Sequence, residues 1–360
     1  MAKKRNHYIP RVLLARFASR RDGEKAWVWQ ITCGRRPIEV SVRNVGVAPF
    51  FYGRPETQVE DRLSEQESRL TSMLDSLEAG ANPVRYDGDL RHWVHTLATR
   101  TRHLRDGFVD AATSLFDEMA KTADSECAQE AGRAYFEAHL DGFIQDMLAR
   151  LPEDQRDQVL ARLQEDPSKW VDLRRMIEQL VPQNSLGTLL KEFLSKARGS
   201  IQIDRAAKNG QIRGLAKLLS TSGDSPIVVD SWHIVRTDSS QFILGDCCTF
   251  GVDESGNAFP LLAELRGRTE VYVPLSKHCM AVGLRGQTAP SLTMPQINLA
   301  VARVSRDTVF AGALNPSILE LSKVIGTASS LLGRESVDAL VRDVWQDMRN
   351  NPRGERNNRR

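Results

Sequence analysis

Hydrophobic residues recur with two different periods along this chain of 360 residues, and the period predicts where helices and strands lie. Between residues 56 and 78 they return at three- and four-residue steps, which is typical of one face of an amphipathic helix. A second helix is predicted from residue 89 to about residue 108. The stretch 109–222 continues as several helices, with breaks predicted at Pro152, Pro167, Pro182 and Gly199.

Shorter apolar runs on either side of this helical stretch predict strands. Near the N-terminus, Pro10 suits the first turn of a short helix, and two runs on either side of turn residues 34–37 then predict a hairpin. After residue 226 the period changes, and five runs predict an antiparallel sheet: 227–229, 232–237, 241–245, 270–275 and 279–284. A helix at 295–303, a strand at 308–311 and a helix near 317–349 complete the chain.

These elements predict an α+β fold, with an antiparallel sheet, packed helices and a mainly helical insertion. We expect 1–110 and 226–312 to form the α+β core and 111–225 to form the insertion. A C-terminal helix is expected at 313–349 and a basic tail at 350–360. The segments with candidate chemistry lie in both parts of the core, so a shared site needs these parts to come together.

Composition and charge limit the classes of function. Apolar residues make up 41% of the chain and charged residues 26%, which allows a sizeable buried core. The net charge of +3, from 49 basic and 46 acidic residues, does not predict a general polyanion binder. Both ends are rich in arginine and would suit contact with nucleic acid or anionic lipid, but solvated termini are the commoner case.

The sequence carries no membrane or disulfide signal. No apolar stretch approaches the ~20 residues that a membrane-spanning helix needs, and residues 8–11 interrupt any signal-peptide core after the basic start. The five cysteines are an odd number, are scattered and include no Cys-x-x-Cys pair, so neither a disulfide framework nor a cysteine zinc site is indicated. We therefore expect a cytoplasmic protein with no membrane partner.

The string Asn-His-Tyr-Ile-Pro-Arg at 6–11, followed by Leu14 and Phe17, resembles the opening His-His-Tyr-Val-Pro-x-x-Tyr-Leu-x-x-Phe motif of a bacterial family, catalogued as domain of unknown function 4238. Later segments resemble further landmarks of that family in the same order: Asn44, Phe51, Tyr52, Glu60, Glu67, 97–102, Trp232, 242–246, 273–276 and Asn298. The chain departs from the family pattern where Arg102 and Cys248 replace prolines and Gly245 replaces a serine. The resemblance spans roughly 6–312 and implies no established activity.

His7 and Arg11 are four residues apart and would share a face if both lay on the N-terminal helix. An imidazole and a guanidinium on one face could converge on an anionic substrate, the first as a general acid or base and the second as an anion clamp. The alternative is a structural N-terminus, in which His7 bonds to the backbone while Tyr8 and Pro10 anchor the chain.

Three carboxylates are candidates for chemistry. Glu60 and Glu67 are seven residues apart, two turns along one helical face, where they could hold a divalent metal or serve as acid and base. They would equally suit a solvated helix face. Asp246 ends an apolar strand, from which a carboxylate can bind metal or orient a histidine. The alternative for Asp246 is a turn in which it bonds to its own backbone.

The predicted second helix carries arginines and histidines on more than one face. A step of 100° per residue groups Arg91, His95 and Arg102 into one stripe and puts Arg100 opposite. So many cations favour a phosphate over a metal at this helix. A buried Arg100 would need one of the three carboxylates as its partner. We expect it instead to be open at a cleft beside His7, as an anion clamp.

The sequence has no Gly-x-Gly-x-x-Gly, P-loop, His-Glu-x-x-His or Gly-x-Ser-x-Gly motif, which argues against the common nucleotide-cofactor enzymes, zincin proteases and nucleophile-elbow hydrolases. The remaining residues favour acid–base or metal-assisted hydrolysis of a phosphodiester in nucleic acid, with a divalent metal as the candidate cofactor. The expected catalytic residues are His7, Glu60, Glu67 and Asp246. The expected substrate-binding residues are Arg11, Asn44, Tyr52, Arg100 and Asn298. The alternative is a non-catalytic module that recognises nucleic acid or a protein partner.

Overall fold

The computed structural model describes residues 5–53, 58–166, 168–180, 186–220, 225–238, 240–263 and 267–353. The predicted α+β class is confirmed, with antiparallel sheets and packed helices. The chain divides into two compact units, each built from two separate stretches of sequence. The first consists of Met1–Ala111 with Ile203–Leu332, and the second of Ala112–Gln202 with Gly333–Arg360.

The strands of the described residues all lie in the first unit, and their pairings are antiparallel. In chain order they are β1 (Arg5–His7), β2 (Arg20–Asp22), β3 (Lys25–Thr32), β4 (Ile38–Ser41), β5 (Val47–Pro49), β6 (Ser231–Arg236), β7 (Leu244–Gly245), β8 (Phe250–Asp253), β9 (Ala258–Pro260), β10 (Arg268–Ser276), β11 (Cys279–Leu284) and β12 (Thr308–Ala311). One sheet has the order β6-β11-β10-β8-β9, a second has β2-β3-β12-β7 with β4 also paired to β3, and β1 pairs with β5. Because β12 lies beside β3, the two sequence stretches of this unit share a sheet.

The helices, in chain order, are α1 (Arg11–Arg16), α2 (Val59–Glu78), α3 (Asp87–Arg100), α4 (Arg102–Thr122), α5 (Glu126–Ala149), α6 (Glu153–Glu165), α7 (Ser168–Leu180), α8 (Leu186–Ser200), α9 (Ile203–Ser220), α10 (Met294–Val304), α11 (Pro316–Glu320) and α12 (Arg334–Asn350). Within the described residues, no helix combines the length and the apolar character that crossing a membrane requires.

The core of the first unit is centred on two neighbouring strands. β11 is buried at every position and β10 at all but one, so both appear in the sequence as continuous apolar runs rather than as alternating patterns. The apolar face of α2 adds Leu70, Leu74 and Leu77 to the same core. This burial fixes α2, and with it the polar residues on the helix's other faces.

The N-terminal segment is fixed by a close approach to Gly46. β1 pairs with β5 so that His7 lies opposite Val47, and the backbone N–H groups of Tyr8 and Ile9 donate to the carbonyl of Gly46 at 2.8 and 3.3 Å. Gly46 has a φ of +61°, and a Cβ there would lie 2.9 Å from the Cβ of the fully buried Ile9. The contact therefore requires glycine, and it determines where the chain leaves His7.

The helix predicted from residue 89 to about 108 is two helices. α3 ends at Arg100, and Thr101 is extended, with φ −73° and ψ 153°. The side-chain amide of Gln211, in α9, donates to the carbonyls of Thr99 and Thr101 at 2.8 Å each. These bonds satisfy the carbonyl of Thr99 at the end of α3 and that of Thr101 between the two helices. Gln211, 110 residues from Thr101, therefore stabilises the break between α3 and α4.

The observed segments differ from the expected ones at several boundaries. The insertion is expected at 111–225, but the corresponding stretch of the second unit is Ala112–Gln202, and the helix α9 that follows belongs to the first unit. In place of the helix expected at 313–349 there are α11, a short 3-10 helix at Leu321–Lys323, and α12, which belongs to the second unit. β8 and β9 lie where no strand is predicted, and 227–229 is not a strand. Most of the basic tail expected at 350–360, and the predicted breaks at Pro167 and Pro182, lie outside the described residues.

The second unit is helical throughout its described residues. Leu140, Ile144 and Leu148 of α5 form a small core, and α5 also packs against α12, α8 and α7. Trp345 of α12 is buried and donates its Nε1–H to Oγ1 of Thr122 at 3.1 Å. These contacts hold α12 in this unit.

Candidate functional site

A cavity of about 510 Å³ in the first unit is lined by five of the expected site residues: His7, Arg11, Glu60, Glu67 and Arg100. We call it the His7 cavity. Its volume lies within the range of small-molecule sites. These five residues come from β1, α1, α2 and α3, so the fold brings together positions up to 93 residues apart.

Three further cations, which no sequence motif marks, also line the His7 cavity: Arg5, Arg21 and Lys25. All three are exposed, as is Arg11, and none of the four forms an ion pair with a described residue. Arg21 lies in β2 and Lys25 is the first residue of β3, on either side of the turn between these strands. Unpaired cations around one cavity favour an anionic ligand.

His7 and Arg11 do not share a helix, so that expectation is wrong. His7 is the last residue of β1, and α1 begins at Arg11 with Pro10 as its N-cap residue. The chain turns between them at Tyr8 and Ile9, whose N–H groups bond to one carbonyl. Both side chains nevertheless line the same cavity, because the turn at Tyr8 and Ile9 brings them together as a helical turn would have done.

Arg100 is buried, with 2% of its surface exposed, and the expected open clamp is wrong. Its Nη1 donates to Oε1 of Glu67 at 2.7 Å, its Nη2 to the main-chain carbonyl of His7 at 2.7 Å, and its Nε to the hydroxyl of Tyr52 at 3.1 Å. Each nitrogen of the guanidinium has a partner in the protein. Arg100 is therefore a positioning residue for His7, with Glu67 as its counter-ion.

Tyr52 belongs to the same network and has no surface to offer a substrate, since it is 1% exposed. Its hydroxyl donates to the main-chain carbonyl of His7 at 3.0 Å. Burial raises the pKa of Tyr52 to about 12, so the hydroxyl keeps its proton at neutral pH. The expected substrate-binding role is thus replaced by a second hydrogen bond to the carbonyl that Arg100 also holds.

The imidazole of His7 is neutral at pH 7. Burial, followed by the positive charge of Arg11, lowers its pKa from 6.5 to about 4, although Glu67 acts in the opposite direction. Nε2 of His7 is buried and has no hydrogen-bond partner among the described residues. Nδ1 is therefore the ring nitrogen that a ligand in the cavity can reach, and with the proton on Nε2 it presents a lone pair.

Glu60 and Glu67 line the same cavity, but they do not assemble a metal site with a third ligand. In the part of the chain that the structure describes, no group of three or more His, Cys, Asp or Glu side chains could hold a metal ion. The ion pair with Arg100 also occupies Oε1 of Glu67. The expected divalent metal therefore finds no ligand set among these residues, and Glu67 is a structural carboxylate.

Asp246 lines a different cavity, of about 220 Å³, together with Asn44. We call this the Asp246 cavity. The carboxylate of Asp246 accepts backbone N–H groups from Arg306, Asp307 and Thr308 at 2.8, 2.8 and 3.0 Å. Both oxygens thus hold the turn between α10 and β12, and not the backbone of Asp246's own turn. Burial raises the pKa of Asp246, and these three N–H groups oppose the shift.

The two cavities meet at consecutive residues of the chain. His7 lines the His7 cavity and Tyr8 lines the Asp246 cavity. Asn44 also lines the Asp246 cavity, whereas Arg5 lines the His7 cavity. Nη1 of Arg5 donates a long hydrogen bond, of 3.4 Å, to Oδ1 of Asn44. The expected single site is therefore divided, with Asp246 and Asn44 on one side and His7 on the other.

Asn298 lines neither cavity. It is 6% exposed, its Oδ1 accepts the backbone N–H of Ile243 at 3.1 Å, and its Nδ2 donates to the carbonyl of Gln241 at 2.9 Å. These bonds tie α10 to the segment that leads into β7. The expected substrate-binding role is replaced by satisfaction of buried backbone groups.

The predicted stripe on the second helix is not a ligand-binding face. Arg91 donates to Asp87 at 2.9 Å and Arg102 donates to Asp106 at 3.0 Å, each four residues away. Burial lowers the pKa of His95 to about 4, so this imidazole is neutral at pH 7. Local carboxylates thus neutralise the arginines that would have formed the stripe.

The comparisons with known proteins place the chain in a family. No curated protein and no solved structure matches it. The model of the family described as protein of unknown function (DUF4238) matches residues 5–313, which includes the His7 cavity and most of the chain. The chain therefore belongs to the DUF4238 family.

Proposed function

We propose that the His7 cavity binds a phosphodiester of nucleic acid and hydrolyses it by acid–base chemistry. The observation that supports this proposal is the combination, in one cavity, of a neutral imidazole with unpaired cations, namely Arg5, Arg11, Arg21 and Lys25. Cations bind and orient the phosphate, and a neutral imidazole can take a proton.

In the proposed reaction a water molecule attacks phosphorus, and the bond from phosphorus to the leaving sugar oxygen breaks. Nδ1 of His7 accepts the proton of the attacking water, and a solvent water protonates the leaving oxygen. The imidazolium then returns its proton to solvent, so the balance is one phosphodiester and one water to one phosphomonoester and one alcohol. Arg11 offsets the charge that develops on the phosphate oxygens, and Glu60 orients the attacking water.

The low pKa of His7 is compatible with this role only when substrate is bound. In the unliganded cavity burial and Arg11 disfavour the imidazolium. A bound phosphate brings negative charge beside the ring, which favours the protonated form and raises the pKa towards the working pH. Hydrolysis thus depends on the substrate's own charge to make His7 an effective base.

The same pKa supports a second candidate function, a non-catalytic module that recognises nucleic acid or a protein partner. A base whose pKa stays at about 4 is weak at neutral pH, and the cations of the cavity suffice for binding. In either case we propose a cytoplasmic location, which is supported by the five cysteines being free thiols.

Cleavage and binding of labelled single-stranded RNA and DNA separate the candidates. We expect the wild type to cleave, with or without Mg²⁺ or Mn²⁺, and His7→Ala to lose about a hundredfold in rate while retaining binding. Arg11→Ala should lower both the cleavage rate and the binding affinity. Arg36→Ala removes an exposed arginine outside the cavity and should change neither the rate nor the affinity. Binding without cleavage by the wild type would favour the recognition module. Absence of binding would refute both candidates.

A further inference from the structure

A second polar groove lies on the opposite side of α2 from the His7 cavity. Glu60, Ser64 and Glu67 line the His7 cavity, whereas Arg62 and Arg69 line a groove of about 710 Å³. At 100° per residue these two sets fall on opposite faces of one helix. The groove is completed by Arg85 and by residues of α3 and α9, and we call it the arginine groove.

The three arginines that define the groove are unpaired. Arg62, Arg69 and Arg85 are exposed, and none of their guanidinium groups makes an ion pair or a hydrogen bond with a described residue. Arg62 and Arg69 are seven residues apart and project from one face of α2, while Arg85 belongs to the 3-10 helix Pro83–Tyr86. The arginines of the neighbouring α3, by contrast, all have carboxylate partners.

The groove retains positive charge although acids also line it. Its carboxylates are Glu65 and Asp89, and neither is within ion-pair distance of the three arginines. Three guanidinium groups against two carboxylates leave one excess positive charge. A bound anion would balance this excess positive charge.

The floor of the groove offers hydrogen bonds and an apolar surface besides charge. Gln66 is 8% exposed, donates from Nε2 to Oγ1 of Thr96 at 3.2 Å, and has an Oε1 with no partner among the described residues. His92 also lines the groove; burial lowers its pKa, Asp89 acts in the opposite direction and Arg69 adds to the lowering, so a neutral imidazole is available there. Leu70 and Leu219 supply apolar contact.

We propose that the arginine groove is a nucleotide-binding site, which takes a small organic phosphate with at least two negative charges. A guanidinium group can donate two parallel hydrogen bonds to the oxygens of a phosphate, and three arginines line this groove. The imidazole of His92 provides a polar contact for a sugar or base, and the groove volume is that of a small-molecule site. The proposal does not depend on the proposed function, because no residue of the His7 cavity takes part.

Calorimetric titration with ADP, and separately with sodium pyrophosphate, tests the site. We expect ADP to bind the wild type and Arg69→Ala and Arg85→Ala to weaken it by about tenfold each. Arg69→Lys keeps the positive charge but cannot donate two parallel hydrogen bonds to a phosphate. Its affinity for ADP should therefore fall less than that of Arg69→Ala. All three variants alter exposed side chains, and unchanged melting temperatures will confirm that they are folded.

Two controls separate this site from the rest of the surface. Arg36→Ala removes an exposed arginine outside the groove, and His7→Ala alters the other cavity; both should bind ADP as the wild type does. The proposal is overturned if the wild type shows no heat with millimolar ADP, or if Arg69→Ala and Arg85→Ala bind ADP unchanged. It is also overturned if pyrophosphate binds as tightly as ADP, or if an RNA oligonucleotide binds there and ADP does not.

Discussion

Nη2 of Arg100 donates to the main-chain carbonyl of His7 at 2.7 Å, across 93 residues of sequence. The hydroxyl of Tyr52 donates to the same carbonyl, so two buried side chains hold the backbone of the residue that lines the cavity. The position of the imidazole therefore depends on α3 as well as on β1. Because these hydrogen bonds go to the main chain of His7, they position the imidazole and leave its ring nitrogens unoccupied.

This dependence predicts a large loss of stability for Arg100→Ala. The substitution removes the counter-ion of Glu67, one of the two donors to the carbonyl of His7 and the N–H donor to the hydroxyl of Tyr52, and it leaves a cavity where the guanidinium was buried. We expect the free energy of unfolding to fall by about 3 kcal/mol, measured by urea denaturation. Arg102→Ala, which breaks an exposed ion pair with Asp106, should lower it by less than about 1 kcal/mol. Equal midpoints for the two variants would contradict the positioning role.

The lowered pKa of His7 predicts a stability that falls on acidification. The unfolded chain has a histidine pKa near 6.5 and the folded chain has about 4, so between these values the unfolded state binds more protons. The contribution is complete above pH 6.5 and is lost as the pH falls towards 4. Between pH 7 and pH 5, the free energy of unfolding of His7→Gln should therefore fall less than that of the wild type.

The control for this pH dependence is Val84→Ala, which alters an exposed side chain without a titratable group. It should leave the slope of stability against pH unchanged. Some slope will remain in His7→Gln, since burial lowers the pKa of His95 to about 4 as well. If His7→Gln gives the wild-type slope, His7 does not titrate with the pKa that its burial indicates.

Asp246→Ala distinguishes the turn-holding role from the catalytic role that the sequence suggests. The variant removes the acceptors of three backbone N–H groups between α10 and β12. We expect the free energy of unfolding to fall by about 2 kcal/mol or more, since each unsatisfied buried group costs about 1–3 kcal/mol. A variant that remains as stable as the wild type and loses only nucleic-acid cleavage would restore the catalytic interpretation.

The elements that the sequence predicts well are those in which the local pattern and the buried face agree. α2 shows this, since its apolar residues at three- and four-residue steps are the ones that enter the core. The break at Thr101 could not be predicted in this way, because Gln211 of α9 supplies the hydrogen bonds that make it tolerable. The sequence does not predict β8, because Phe250–Asp253 is buried on both faces over only four residues and so lacks alternation.

The candidate site shows the same limit at the level of single residues. His7, Arg11 and Glu60 were singled out from residue type, spacing and family resemblance, and they do line one cavity. Asp246 and Asn298 have the same kinds of polar group, but both bond to backbone groups of distant segments. Whether a polar side chain faces a cavity or satisfies a buried N–H depends on tertiary contacts, which the sequence pattern does not contain.

The last prediction concerns Gly46, whose carbonyl receives the N–H groups of Tyr8 and Ile9. Gly46→Ala adds a Cβ that would lie 2.9 Å from the Cβ of Ile9, at a φ of +61°. Gly34 has a similar φ of +69° with nothing within 4 Å, so Gly34→Ala introduces the backbone strain without the clash.

The two glycine variants therefore isolate the contact that places His7. We expect Gly34→Ala to lower the free energy of unfolding by about 1 kcal/mol, from the left-handed backbone alone. Gly46→Ala should lower it by a further ~1–3 kcal/mol, because the buried Ile9 must move to relieve the overlap. That movement displaces β1, so Gly46→Ala should also weaken nucleic-acid binding at the His7 cavity, whereas Gly34→Ala should not. Equal destabilisation by the two substitutions, measured by urea denaturation, would show that the approach of Gly46 to Ile9 does not fix the N-terminal segment.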